Sequence, residues 1–226
     1  MPQPTSRLIL WCLSSVGLMA YASASFAQCP QSTVSFVGKN ASGAVIFEVT
    51  KTSDAPSAQV SYGRSSSASY DRIDRTVQAV ADVYVNEAYR HISHAVVVEH
   101  FQLHGAVEAW VTIRLTLTAS GITDPSYRMA WVAGSASLTA RGQIASAETT
   151  NTSIAPFIEI STYVLEGEPL EVTYETMADG WGYEPAMRVS GHLEFIGLSD
   201  GAAILPCDSA LPVKVTTWGA VKALYR

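Results

Sequence analysis

The fold is decided most clearly by residues 107–118, VEAWVTIRLTLT, in which apolar and polar side chains alternate without a break. A period of two residues sustained over such a stretch predicts a β-strand with one face in the core and the other in solvent. The apolar face would consist of Val107, Ala109, Val111, Ile113, Leu115 and Leu117. The solvent face would carry Glu108, Trp110, Thr112, Arg114, Thr116 and Thr118.

Other segments repeat this alternation and are rich in Val, Ile, Thr and Tyr, which favour strands. They are residues 33–37, 44–50, 59–62, 76–86, 95–103, 129–139, 156–165, 170–176, 187–198 and 213–216. We therefore expect an all-β domain, an antiparallel, jelly-roll-like β-sandwich of about ten to twelve strands. Residues 71–81 are ambiguous between helix and strand, and the polar run RSSSAS at 64–69 predicts a loop or an exposed edge.

The N-terminus has the order of a secretion signal, in which Arg7 precedes apolar runs at 8–13 and 16–21 and small residues follow. Cleavage is expected after Ala24 or Ala27. An uncleaved membrane anchor would need about 20 continuous apolar residues, and this run is shorter and interrupted.

The predicted organisation is a signal peptide at 1–27, a single β-sandwich domain at 28–216 and a C-terminal tail at 217–226. The formal net charge is −6, and losing the one positive charge of the signal makes it −7. Phosphate binding needs clustered Lys and Arg, so no nucleic-acid partner is expected. No membrane span is expected after signal cleavage, because no second apolar run is long enough.

Two cysteines remain once Cys12 has left with the signal, namely Cys29 and Cys207. An even pair in an exported chain predicts a disulfide, here one that joins the start of the domain to its end. The chain-entropy model gives an upper figure of roughly 5 kcal/mol for so long a loop. The alternative is two free thiols in a reducing compartment.

Four short runs stand out in the domain: SYG at 61–63, residues 112–121, GHLEFIGL at 191–198 and DGA at 200–202. Together they resemble exported bacterial β-sandwich proteins of the PEP-CTERM-associated type. The resemblance implies surface or matrix localisation, with no established activity. The chain lacks the Pro-Glu-Pro tripeptide, apolar helix and arginine cluster of that class, so anchoring by that route is not expected.

The last ten residues, TWGAVKALYR, are similar to short Trp-Gly-x-aliphatic-Lys-x-Leu-Tyr-Arg tails of other exported bacterial proteins. The residues that define this motif are Trp218, Lys222, Tyr225 and Arg226. A helix of this length is marginal in water, so the tail must dock somewhere. Either it packs on its own domain, or it is a sorting or recognition tag.

Four histidines lie close together, at His91, His94, His100 and His104, which raises the question of a metal site. On a strand, His100 and His104 would be about 13 Å apart, too far to share one ion. His91 and His94 are expected to flank a turn and are weak metal candidates. The alternative is solvated histidines on a strand face. We expect no metal and no other cofactor.

Four glutamates on predicted strands, Glu159, Glu171, Glu175 and Glu194, are the residues that a glycan hydrolase or lyase would use. Paired catalytic carboxylates lie roughly 5 to 9.5 Å apart, a spacing that neighbouring strands can provide and one strand cannot. Acids on the wet face of a sheet are ordinary, however, and need no catalytic role.

The run DGWGYEP at 179–185 predicts a loop that holds two aromatic rings between glycines. Exposed rings with an acid nearby can stack on a sugar or anchor a partner, so Trp181, Tyr183 and Glu184 are the candidate ligand-binding residues. The alternative is that Trp181 covers the core.

The sequence contains no Gly-x-Ser-x-Gly, no His-Glu-x-x-His and no phosphate-binding glycine loop. We therefore expect a secreted or cell-surface, non-enzymatic structural or interaction protein, for which the periplasm is a further compartment. A carbohydrate-binding module is the alternative, and a glycan hydrolase or lyase is the third hypothesis. The expected partner is a glycan or a cell-surface or matrix protein.

Overall fold

The structure is a computed structural model that describes residues 30–40, 42–52, 57–62, 66–82, 89–122, 131–150, 154–182, 185–198 and 201–207. The expected signal peptide, the predicted strand at 213–216 and the C-terminal tail lie outside these residues. Within them, no helix is long and apolar enough to span a membrane.

The described chain forms thirteen β-strands, one more than the upper end of the expected range, and no helix. They are β1 (Thr33–Lys39), β2 (Val45–Thr52), β3 (Ser57–Tyr62), β4 (Ser66–Asp71), β5 (Thr76–Asp82), β6 (Tyr89–His104), β7 (Glu108–Ile122), β8 (Trp131–Ala140), β9 (Gln143–Thr149), β10 (Phe157–Leu165), β11 (Leu170–Gly182), β12 (Ala186–Ile196) and β13 (Ala203–Pro206).

The strands form two antiparallel sheets. The first sheet has the order β2-β1-β6-β11-β8-β9, and β13 also pairs with β6. The second sheet has the order β10-β7-β12-β5-β4-β3. Strands β5 to β12 alone give two four-stranded sheets, β6-β11-β8-β9 and β5-β12-β7-β10, which is the strand order of a jelly roll. The expected fold is therefore confirmed, with β1 and β2 added beside β6 and β3 and β4 added beside β5, at the same flank of the sandwich.

Residues 108–118 lie in β7 and bury most of the predicted face. Val111, Ile113, Leu115 and Leu117 are all less than 5% exposed, whereas Val107, just before the strand, is 75% exposed. The main core fills the space between the two sheets, and a smaller cluster lies beside it. The smaller cluster consists of Ala79, Ala81, Val132, Ala178, Met187 and Val189. Its alanines let the two sheets approach closely there.

The prediction for residues 64–69 was wrong. Residues 66–71 form β4, which lies between β3 and β5 in the second sheet. Ser66, Ala68 and Tyr70 are buried on its inner face, so the small residues belong to the core. The ambiguous segment at 71–81 is a turn followed by β5. Strands β9 and β13 were also missed.

Candidate functional site

The most exposed aromatic feature of the described chain lies on the outer face of the second sheet. Trp110 of β7 is 67% exposed, and its register partner Tyr163 of β10 is 37% exposed. Their rings meet edge to face, with centroids 5.7 Å apart. Because both residues sit within paired strands, the rings are presented by rigid backbone rather than by a loop.

A tight connection between β6 and β7 precedes the strand that carries Trp110. Gly105 has a φ of +81°, and the carbonyl oxygen of Gly201 lies 2.2 Å from where a Cβ would be. Any other residue would therefore strain the backbone and collide with its neighbour. On the other flank, the amide of Glu166 donates to the carbonyl of Val107 at 2.9 Å, which ties the end of β10 to the start of β7.

A carboxylate and a recess accompany the aromatic pair. The hydroxyl of Tyr163 donates to Glu108 Oε2. This hydrogen bond raises the pKa of Tyr163, because ionisation would place a second negative charge beside Glu108. The recess has a volume of about 300 Å³ and is lined by Glu108, Ala109, Trp110, Tyr163 and Gly197.

A polar row follows the aromatic pair along the same two strands. The hydroxyls of Thr112 and Ser161 are 2.9 Å apart. The next row is ionic, with Arg114 donating from Nε to Glu159 Oε1 at 2.5 Å. The guanidinium of Arg114 also lies over the ring of Phe157, 4.6 Å from its centroid. We call the face formed by Trp110, Tyr163, Thr112, Ser161, Arg114 and Phe157 the Trp110 surface.

The glutamates on this sheet are held by a cation. Glu159 and Glu194 lie on the strands that flank β7, and Arg114 lies between them in register with both. Its Nη2 is 2.5 Å from Glu159 Oε1, and its Nη1 is 3.9 Å from Glu194 Oε1. A guanidinium therefore lies between the two carboxylates, in the place where the substrate of a glycosidase would have to lie.

Trp181 does not lie in a loop, as its glycine neighbours predicted, but in β11 beside Trp131 of β8. Arg90 binds the buried carboxylate of Asp179 through Nε at 3.0 Å and Nη2 at 2.5 Å. The Arg90 guanidinium lies 5.7 Å from the centroid of Trp131, which is 39% exposed. Tyr183 and Glu184, the other two predicted ligand-binding residues, lie outside the described residues.

The histidines do not converge. His91 and His94 both lie within β6 rather than beside a turn, and their separation of three residues places them on opposite faces of the strand. His100 shares a face with His94 and is 6% exposed, so it is not the solvated side chain that we expected. In the described chain, no three His, Cys, Asp or Glu side chains are arranged to hold a metal ion.

Two of these histidines bind glutamates of β11. His94 Nε2 lies 2.9 Å from Glu175 Oε2, and His100 Nε2 lies 3.1 Å from Glu171 Oε2. Ser137 donates to the other oxygen of Glu175 at 2.5 Å. The hydroxyl therefore contacts the acid and not the imidazole, which is not the order of a nucleophile activated by a histidine base. The hydrogen bond from His94 holds the pKa of Glu175 below its ordinary value.

The predicted disulfide is not tested, because Cys29 lies outside the described residues. The amide of Cys207 donates to the carbonyl of His100 at 2.8 Å. The amide of His100 donates to Ser32 Oγ at 3.3 Å. The N-terminal and C-terminal ends of the domain therefore both bind the backbone of His100 in β6. The disulfide between Cys29 and Cys207 remains a prediction.

Sequence reasoning singled out neither Trp110 nor Tyr163 as functional. The signal was present, since the alternation at 107–118 assigns Trp110 to the solvent face. A large aromatic residue on the solvent face of a regular strand contributes to an exposed apolar patch, which can mark a binding surface.

No family model matches the chain, and no curated protein matches it. Among solved structures, the chain is similar to TmCBM61 in complex with β-1,4-galactotriose, at 10% identity and a TM-score of 0.29 over 63% of this chain and 88% of that one. It is also similar to a structure described as one of the carbohydrate-binding modules from the β-sandwich superfamily, at 7% identity and a TM-score of 0.18 over 72% and 85%.

Proposed function

We propose that the protein is an exported, non-catalytic binding protein whose Trp110 surface recognises a glycan. The observation that carries this proposal is the exposure of Trp110 on a rigid strand, packed against Tyr163 and beside a recess. Export is the expectation from the N-terminal sequence.

Trp110 supplies the apolar part of such recognition. One side of a pyranose ring is lined by C–H groups, and a flat aromatic ring is the surface that such a face can cover. Two-thirds of Trp110 is available to solvent, while its contact with Tyr163 limits the entropy lost on binding. A ring fixed in this way is ready to bind before the ligand arrives.

The polar row supplies groups for sugar hydroxyls, which both donate and accept hydrogen bonds. Thr112 and Ser161 present hydroxyls, and Arg114 and Glu159 present a donor and an acceptor. From Trp110 to Thr116, the partner of Phe157, the face extends about 20 Å along β7. This favours an extended oligosaccharide over a single sugar. A few polar groups beside aromatic area are typical of small-molecule sites.

The position of Arg114 between Glu159 and Glu194 favours binding over hydrolysis. Hydrolysis at this face would need the substrate to lie between the two carboxylates, and the guanidinium of Arg114 occupies that place. A protein ligand in the matrix is the second candidate, favoured by the exposed apolar side chains of Phe157 and Leu165 on the same strand.

The test is a glycan array probed with the secreted full-length mature protein and with its Trp110→Ala variant. The wild-type protein should bind at least one oligosaccharide on the array. The Trp110→Ala variant should bind that oligosaccharide at least tenfold more weakly, which is a loss of about 1.4 kcal/mol in binding free energy. The matched control is Trp131→Ala, which removes an exposed tryptophan from the outer face of the opposite sheet.

The control should bind like wild type. Absence of any glycan binding by wild type, or equal binding by Trp110→Ala, would refute the proposal. Release of shortened sugars from a bound oligosaccharide, abolished by Glu159→Gln or Glu194→Gln, would refute the non-catalytic part alone.

A further inference from the structure

A second recess, separate from the Trp110 surface, lies at the turn between β4 and β5. It has a volume of about 490 Å³, within the range of small-ligand sites. Its lining includes Arg75, Phe195, Leu198 and Ala202, and so combines one guanidinium with apolar walls.

Arg75 holds an unfavourable backbone conformation there. Its φ is +49°, in the left-handed region that is unfavourable for a residue with a Cβ relative to glycine. The carbonyl of Arg75 accepts a hydrogen bond from the amide of Leu193 at 3.0 Å, which fixes the turn against β12. Strain that the surroundings hold in place is a recurrent feature of ligand sites.

The side chain of Arg75 is fixed by two aromatic rings. Its guanidinium carbon lies 5.3 Å from the centroid of Phe101 and 5.4 Å from that of Phe195. These rings are themselves in edge contact, with centroids 4.7 Å apart. Phe101 belongs to the first sheet and Phe195 to the second, so Arg75 closes one end of the core.

Contact with aromatic rings leaves the hydrogen-bonding edge of a guanidinium unused. Within the described residues, the Arg75 side chain has no hydrogen bond and no ion pair. The planar fork of N–H donors matches a carboxylate, which it can bind through two parallel hydrogen bonds.

The other charged residues around the recess determine which kind of anion it can bind. Asp74 and Glu194 also line it, and His192 adds a titratable group. Glu194 accepts from Thr116 Oγ1 at 3.0 Å and lies 3.9 Å from Arg114, which offsets its charge. With Asp74 nearby, a single negative charge is favoured over a phosphate dianion.

We propose that this recess binds a single carboxylate on a compact ring, with the carboxylate on Arg75 and the ring against Phe195 and Leu198. A uronic acid of a glycan is the source to which we commit. The choice of a uronic acid rests on the proposed function. The expectation that the ligand carries a carboxylate rests only on Arg75.

The test is a ¹⁵N–¹H NMR titration of the mature protein with sodium glucuronate. We expect saturable shifts of the amides of Arg75, Leu193 and Phe195. The methyl ester of glucuronate, which has the same ring without the charge, should bind at least tenfold more weakly. Inorganic phosphate should also bind more weakly than glucuronate.

Two variants separate binding from folding. Arg75→Gly relieves the positive φ and so should fold, as circular dichroism would confirm, but should lose glucuronate binding. Arg75→Lys keeps the charge without the fork and should bind at least several-fold more weakly. Trp110→Ala should leave this titration unchanged, so failure here and failure of the Trp110 surface are distinguishable.

Equal binding of the ester, or glucuronate binding by Arg75→Gly, would overturn the carboxylate site. Tighter binding of phosphate would overturn the preference for a single charge. Saturable binding of cyclohexanecarboxylate without binding of glucuronate would overturn the uronic acid as the source.

Discussion

Tyr174 donates a hydrogen bond from its hydroxyl to Glu99 Oε2 at 2.7 Å, in a core where the two residues are 0% and 1% exposed. Tyr70, on the facing sheet, donates to Glu99 Oε1 at 2.6 Å. The tyrosine rings are in edge contact, with centroids 6.4 Å apart. One buried carboxylate therefore links the two sheets of the sandwich through two hydroxyl groups.

Replacing Tyr174 by Phe should lower the free energy of unfolding by about 2 kcal/mol, because it removes a donor to a buried charged group and puts nothing in its place. Urea unfolding at neutral pH measures this. The matched control is Tyr163→Phe, the same chemical change at an exposed tyrosine that donates to Glu108. It should cost much less than Tyr174→Phe. Equal costs for the two variants would show that burial of Glu99 does not matter.

The same cluster predicts an alkaline limit to stability. Burial, then the charge of Glu99, raises the pKa of Tyr70 and of Tyr174 well above the ordinary value of about 10. A raised folded-state pKa contributes stability that is complete below pH 10 and is lost as the pH rises further.

Absorbance titration of the phenolate should therefore leave at least two tyrosines protonated above about pH 11, until circular dichroism reports unfolding. In Tyr174→Phe, one fewer tyrosine should be protected. Ionisation of every tyrosine near pH 10 in a chain that still has its native dichroism would contradict this prediction.

The sheets could be predicted from sequence where strands bury one face with large side chains, as at residues 107–118. They could not be predicted where the buried side chains are small. In β4, only Tyr70 is a large buried residue, and the remaining serines and alanine match the composition of a loop. The decisive contacts come from β3 and β5, which are set by the pairing of strands and not by local composition.

At the candidate site, too, some features could be predicted from the sequence and others could not. Gly180 was expected to mark a loop, but it is buried in β11 and faces the narrow part of the core beside Ala178. Close approach of the two sheets, rather than a turn, accounts for these small residues. By contrast, the exposure of Trp110 follows directly from the period of two in its own strand. Its pairing with Tyr163 depends on a register that no local pattern encodes.

The environment of Glu175 predicts that part of the free energy of unfolding is lost at acidic pH. Its pKa lies below the ordinary 4.5, chiefly because of the hydrogen bond from His94 and also because of that from Ser137. A lowered folded-state pKa contributes stability that is present above pH 4.5 and is lost as the pH falls through the lowered value. Since the Glu175 side chain is 35% exposed, solvent screening reduces this contribution to at most about 1 kcal/mol.

Glu175→Gln should therefore be less stable than wild type at pH 7 by at most about 1 kcal/mol, and the difference should shrink below about pH 4. Urea unfolding across this pH range measures it. Glu171→Gln is the control, because that glutamate also binds a histidine but its side chain is 65% exposed, so its effect should be smaller. A Glu175→Gln deficit that grew as the pH fell would have the wrong sign.

The meeting of both domain ends at His100 supports the predicted bond between Cys29 and Cys207. The intact mass of the purified protein should increase by two hydrogens on reduction, and neither thiol should react with an alkylating agent beforehand. Replacing both cysteines by alanine should cost about 2–4 kcal/mol of unfolding free energy, and dithiothreitol should then have no further effect. Alkylation of both thiols without reductant would exclude the bond. In that case β1 and β13 would be held to β6 by hydrogen bonds and packing alone.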